Sequence, residues 1–230
     1  MSVLSEASRF RRLAAGLGLI LGPAVLIAVE LVHPQGDSDA AQMYAIVSAN
    51  TDQWYLAHAL ALVSIALAVP AVLGLMHLLK TSQPAWGHVG AALAFLGLVP
   101  LAAAVGMELV VWQATSADAA AMIALIDRVN DSAGTLIVFA AALLFPIGWI
   151  ALAGGLYRAR ILPAWQPALI GLGIVGVFAG DLAYTKWLSV AGALLFFIGA
   201  APLGWRLLTQ SDEEWETGRV APTAEVVPTA

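Results

Sequence analysis

Six apolar runs, each long enough to cross a bilayer, constrain this chain more than any other feature. They cover residues 13–32, 54–79, 87–112, 132–157, 164–183 and 187–208. A helix rises about 1.5 Å per residue, so roughly 20 apolar residues span the hydrocarbon core, whereas a membrane strand needs only about 9–11. Inside lipid every backbone N–H and C=O must be paired within the protein, which favours helices for runs of this length. Composition agrees. Of 230 residues, 61% are hydrophobic and 11% charged, against roughly 25% charged in soluble domains. The fold class expected is all-α: a polytopic membrane protein with six transmembrane helices over residues 1–208. The segment 209–230 is polar, acidic and proline-bearing, and is expected to be a disordered tail.

Basic residues orient the helices. If the N-terminus is inside, Arg9, Arg11, Arg12, Lys80, Arg158, Arg160, Arg206 and Arg219 are cytoplasmic, and only Arg128 and Lys186 are outside. That asymmetry follows the positive-inside rule, so both termini are expected in the cytoplasm and the chain in the plasma membrane. The start, "SRFRRLAAGLGLILGP", has the basic-then-apolar order of a signal peptide. It lacks a small-x-small cleavage site, so a retained first helix is expected. The absence of cysteine removes disulfides, thiolate metal sites and a thiol nucleophile. No basic patch or motif suggests nucleic acid.

The chain also repeats itself. "DAAQMYAIV" (39–47) matches "DAAAMIALI" (118–126) at an offset of 79 residues, and the same offset superposes the two "PAW" stretches at 84–86 and 163–165. "ELV" recurs at 30–32 and 108–110, and "ALLFPIG" (142–148) resembles "ALLFFIG" (193–199). Such matches define a unit of outward helix, outer segment and inward helix. Helices 1–2, 3–4 and 5–6 then form three parallel hairpin repeats about an axis along the membrane normal. The outer segments of the first two copies place Met43, Ile46 and Val47, and Met122, Leu125 and Ile126, at helical spacing. Asp39 and Asp118 are placed to cap those short helices. Pro70 and Pro146 are expected to kink their spans.

The repeat makes Glu30, Glu108 and Asp181 equivalent: each is a carboxylate near the outer end of an odd-numbered helix. A charge there is costly unless paired, hydrated or protonated, so three related ones suggest an acidic cavity. His33 follows Glu30 by one turn, and His58 lies one turn into helix 2 at similar height. Glu30, His33, His58 and Glu108 supply donors suited to Zn²⁺ or another divalent ion. The bland alternative is equally open: helix-end carboxylates and histidines that simply meet water and headgroups. Haem is disfavoured, because His58 and His77 are separated by about 28 Å of helix. His77 and His88 could form an inner titratable pair, but more simply sit among headgroups. Ser64 and Ser189 are expected to bond backbone carbonyls.

With "HPQGD", "GLM" and "LPAW" spread over its apolar part, the chain resembles uncharacterised six-helix integral membrane proteins common in actinobacteria. The resemblance implies six membrane helices and brings no activity or binding residues. Three functions therefore stay open. One is an outward-facing cavity, built on Glu30, His33, His58, Glu108 and Asp181, that binds a cation, a proton or a small basic ligand, in transport or otherwise. Another is a metal-dependent enzyme acting on lipid. The third is an accessory subunit whose partners are another membrane protein or further copies of itself.

Overall fold

The computed structural model describes residues 3–116 and 118–217. Every regular element among them is helical: α1 (Val3–Val32), α2 (Ala40–Ala49), α3 (Thr51–Leu79), α4 (Pro84–Ala114), α5 (Ala119–Asn130), α6 (Ala133–Ala142), α7 (Leu144–Ala159), α8 (Trp165–Leu182), α9 (Lys186–Thr209) and α10 (Asp212–Thr217). Six spans are long and apolar enough to cross a membrane: Glu6–Val32, Thr51–Leu79, Pro84–Gln113, Ala133–Ala159, Trp165–Leu182 and Lys186–Thr209. They coincide with the six apolar runs. The fourth is interrupted at Leu143, between α6 and α7. Three residues later Pro146 has no N–H to offer the carbonyl of Ala142, which weakens the helix there. By contrast, α3 stays continuous through Pro70.

The spans close into a ring: α1 packs on α3, α3 on α4, α4 on α7, α7 on α8, α8 on α9, and α9 back on α1. Small residues bring the axes together at these seams. A Cβ on Gly204 of α9 would lie 2.7 Å from the Gly16 carbonyl of α1. On α7, a Cβ at Gly148 would collide with the Ala94 backbone of α4. In the half of the ring nearer the termini the interior is filled with Leu75, Leu78, Leu79, Leu152, Leu156, Ile170, Leu203 and Leu207, all fully buried. The outward face is also apolar. Leu96, Val99, Leu136 and Trp187 are each more than 60% exposed, as a lipid-facing surface requires.

Beyond the ring's other end, opposite the termini, lie α2 and α5, which touch each other. Each begins at the expected cap: the Asp39 carboxylate accepts from the Gln42 N–H, and that of Asp118 from the Ala121 N–H. The third connection is a tight turn. Thr185 N–H bonds the Gly180 carbonyl at 2.7 Å and Tyr184 N–H bonds that of Asp181 at 3.2 Å. Together they form a Schellman cap with Tyr184, φ 49°, where glycine is usual.

The tail departs from expectation. Residues 212–217 are helical, and Trp215 is only 1% exposed. Ser211 and Glu214 form a reciprocal capping box: Ser211 N–H donates to the Glu214 carboxylate at 2.8 Å, and Glu214 N–H to the Ser211 hydroxyl at 3.2 Å. The Trp215 ring stacks on His77 of α3 with centroids 4.1 Å apart. Arg12 of α1 reaches Asp212 at 2.9 Å and donates to the α9 carbonyl of Leu207 at 2.6 Å. Disorder from residue 209 was inferred from polarity, but the buried indole and the arginine hold this stretch against the bundle. Residues 218–230 lie outside the described residues.

Candidate functional site

The ring does not close over a solid core in its second half. A central cavity of about 430 Å³ opens there, and α1, α3, α4, α6, α8 and α9 all contribute to its lining. Glu30, His33, His58, Glu108 and Asp181 all face this one space. The three carboxylates come from α1, α4 and α8, the odd-numbered spans.

Two aromatic residues of α3 and one histidine past α1 build the central cluster. The imidazole centroids of His33 and His58 are 5.0 Å apart, and Trp54 lies 4.6 Å from His58 and 5.0 Å from His33. Trp54 and His58 share a face because they are four residues apart on one helix. The indole N–H of Trp54 donates to the Glu108 carbonyl at 2.7 Å, which ties α3 to α4 at this level. Lys186 donates to the carbonyls of Leu31 and His33 at 2.9 and 3.0 Å. A cation there satisfies the open end of α1 and fixes the backbone from which His33 projects.

Hydrogen bonding sets the imidazole tautomers. His33 Nδ1 lies 2.6 Å from the Pro34 carbonyl, and His58 Nδ1 lies 2.7 Å from that of Trp54. A carbonyl only accepts, so both Nδ1 atoms carry the proton. Each neutral ring then presents a lone pair at Nε2. His58 Nε2 lies 2.8 Å from Glu108 Oε2. A lone pair cannot face a carboxylate oxygen at that distance with nothing between, so this pair calls for a proton or a cation. One ligand atom each from His33, His58 and Glu108 lies within 4.8 Å of the others. Donors around a tetrahedral Zn²⁺ sit roughly 3.4 Å apart, given bonds of ~2.0–2.1 Å. The three must draw in slightly to hold such an ion. Histidines anchored through the second nitrogen to a carbonyl are the usual support of a metal ligand. Burial holds the His33 imidazole below its ordinary pKa, and the neighbouring His58 acts in the same direction. That favours the neutral form, the one that ligates metal.

Glu30 stands apart from this group. Counted among the metal donors by sequence, it is not among the three that converge. The direct contact in this cluster is between His58 and Glu108. Glu30 is only 8% exposed and lines the cavity, and no hydrogen bond or ion pair reaches its carboxylate among the described residues. Asp181 accepts a 2.7 Å hydrogen bond from the Ser189 hydroxyl. Ser189 was expected to bond a backbone carbonyl, and its position opposite the turn at Tyr184 gives it a carboxylate instead. Ser64 does bond a carbonyl, that of Gly22, at 3.0 Å. His77 and His88 do not pair: His77 bonds the Trp215 carbonyl at 2.8 Å, and His88 that of Pro84 at 2.7 Å.

Trp54 and Lys186 belong to the cluster and were not among the site residues expected from sequence. The spacing of Trp54 to His58, and the position of Lys186 as the one basic residue between the last two apolar runs, were the available signals. Comparison with protein families, characterised proteins and solved structures finds no match for this chain.

Proposed function

We propose that this is a plasma-membrane protein whose cavity faces outward and binds a cation, with a divalent metal such as Zn²⁺ held by His33, His58 and Glu108. The observation that supports this most is the pair of imidazoles, each anchored through Nδ1 to a carbonyl, beside a carboxylate that needs a positive partner. Three protein donors leave a fourth position for water or a carried ligand. The three-hairpin arrangement belongs to the same proposal. The ring order, in which α1 with α3, α4 with α7 and α8 with α9 are neighbours, supports it.

The test is a calorimetric titration of chelator-stripped, full-length protein in nanodiscs with Zn²⁺. One ion per chain is expected, with release of about one proton as the metal replaces the hydrogen between His58 and Glu108. Heat indistinguishable from empty nanodiscs overturns the metal reading.

Orientation is checked separately, and the lack of native cysteine makes labelling clean. Cysteines at Gln42 and Ala119 should react with an impermeant maleimide applied to intact cells, and one at Gln83 should not. The opposite pattern turns the cavity toward the cytoplasm.

A further inference from the structure

Beneath the cavity lies a second chamber of about 130 Å³, lined by residues of all six spans. Leu101, Val105, Phe178 and Asp181 line both spaces and so form the collar between them. Below the collar the wall is apolar and aromatic, including Phe145, Trp149 and Phe196. Its one hydroxyl, on Ser64, is already committed to the Gly22 carbonyl. The chamber is close in size to the ~150 Å³ apolar cavity that stays dry and takes up benzene. An apolar group of ring size fits there.

Above the collar carboxylates outnumber ammonium groups three to one. Glu30, Glu108 and Asp181 bring three carboxylates, while the ammonium of Lys186 is engaged by the Leu31 and His33 carbonyls. Glu108 has His58 as partner. Glu30 has none among the described residues and is more than nine-tenths buried. A buried carboxylate without a partner, in a membrane span and facing a cavity, is the usual mark of a ligand or ion path. The upper cavity, about 430 Å³, falls in the ~300–1,000 Å³ range of small-molecule sites.

We infer that the axial cavity binds a lipophilic organic ammonium ion, its charged nitrogen between Glu30 and Asp181 and its apolar group below the Leu101–Val105–Phe178 collar. The inference rests on reading the cavity as a cation site, and it does not need the metal. The aromatic walls offer faces on which an aryl group can pack, and the carboxylates repel an anionic head of the same shape.

Phenethylammonium is a fitting probe. It is titrated into full-length protein in nanodiscs with EDTA present, so the outcome is independent of Zn²⁺ binding. Ethylammonium, which lacks the ring, and 3-phenylpropanoate, which reverses the charge, are titrated alongside. Saturable binding of phenethylammonium is expected. Ethylammonium should bind at least tenfold more weakly and 3-phenylpropanoate not at all. Glu30→Gln should weaken phenethylammonium at least tenfold while keeping its thermal unfolding midpoint. Ala68→Leu, which fills part of the lower chamber, should weaken phenethylammonium and leave ethylammonium unchanged. No saturable binding, equal affinity for the two amines, or equal affinity for the anion overturns the inference, whatever the Zn²⁺ titration shows.

Discussion

Zn²⁺ affinity is expected to fall at least about a hundredfold when His58 becomes alanine, the upper end of what even losing a ligand's supporting partner costs. The substitution removes one of three converging donors and leaves Glu108 without its partner at 2.8 Å. His33→Ala should act similarly. Trp54→Phe keeps all three donors but deletes the indole bond to the Glu108 carbonyl, and the expected loss is about tenfold. His77→Ala is the control, since that residue bonds Trp215 at the opposite end of the bundle. Calorimetry of the four variants decides. Equal affinity in wild type and His58→Ala means the metal binds elsewhere.

A single methyl group at Gly148 should cost more stability than most side-chain deletions on the surface. Its Cβ would run into the Ala94 backbone and the Gly90 carbonyl, and backbone cannot rotate away. Overpacking of this kind costs roughly 1–3 kcal/mol, more where the obstacle is rigid. Gly106→Ala on α4 gives the contrast, because nothing lies within 4 Å of its Cβ position. There the intrinsic preference of alanine for helix should stabilise by up to about 1 kcal/mol. Thermal unfolding in one detergent compares the two. If Gly148→Ala unfolds no earlier than Gly106→Ala, the α4–α7 seam is looser than described.

The length of the apolar runs made the six spans legible, because a continuous apolar run of that length fits a membrane helix and is too long for a membrane strand. Asp39 and Asp118 were legible as caps because capping is a local matter of one side chain and the first turn. The shared cavity of Glu30, Glu108 and Asp181 followed from placing three carboxylates at one height. What remained hidden depends on which spans become neighbours. Lys186 can cap α1 only because α9 closes the ring against it. Ser189 finds Asp181 only because the turn at Tyr184 folds α9 back. Docking of the 212–217 segment had a local signal, the "SDEE" capping box followed by tryptophan, which the polar composition of the tail obscured.

Ring closure between α1 and α9 has a consequence for how the molecule is made. When α1 leaves the ribosome, Glu30 and the Gly16 seam are uncovered, and the partner that covers that seam, α9, follows only after α3, α4, α7 and α8. Until residues 186–217 follow, Arg12 has neither Asp212 nor the Leu207 carbonyl to hold. The bundle therefore stays open along that seam while the intervening spans are made. The cavity is walled on all sides only once α9 lies against α1.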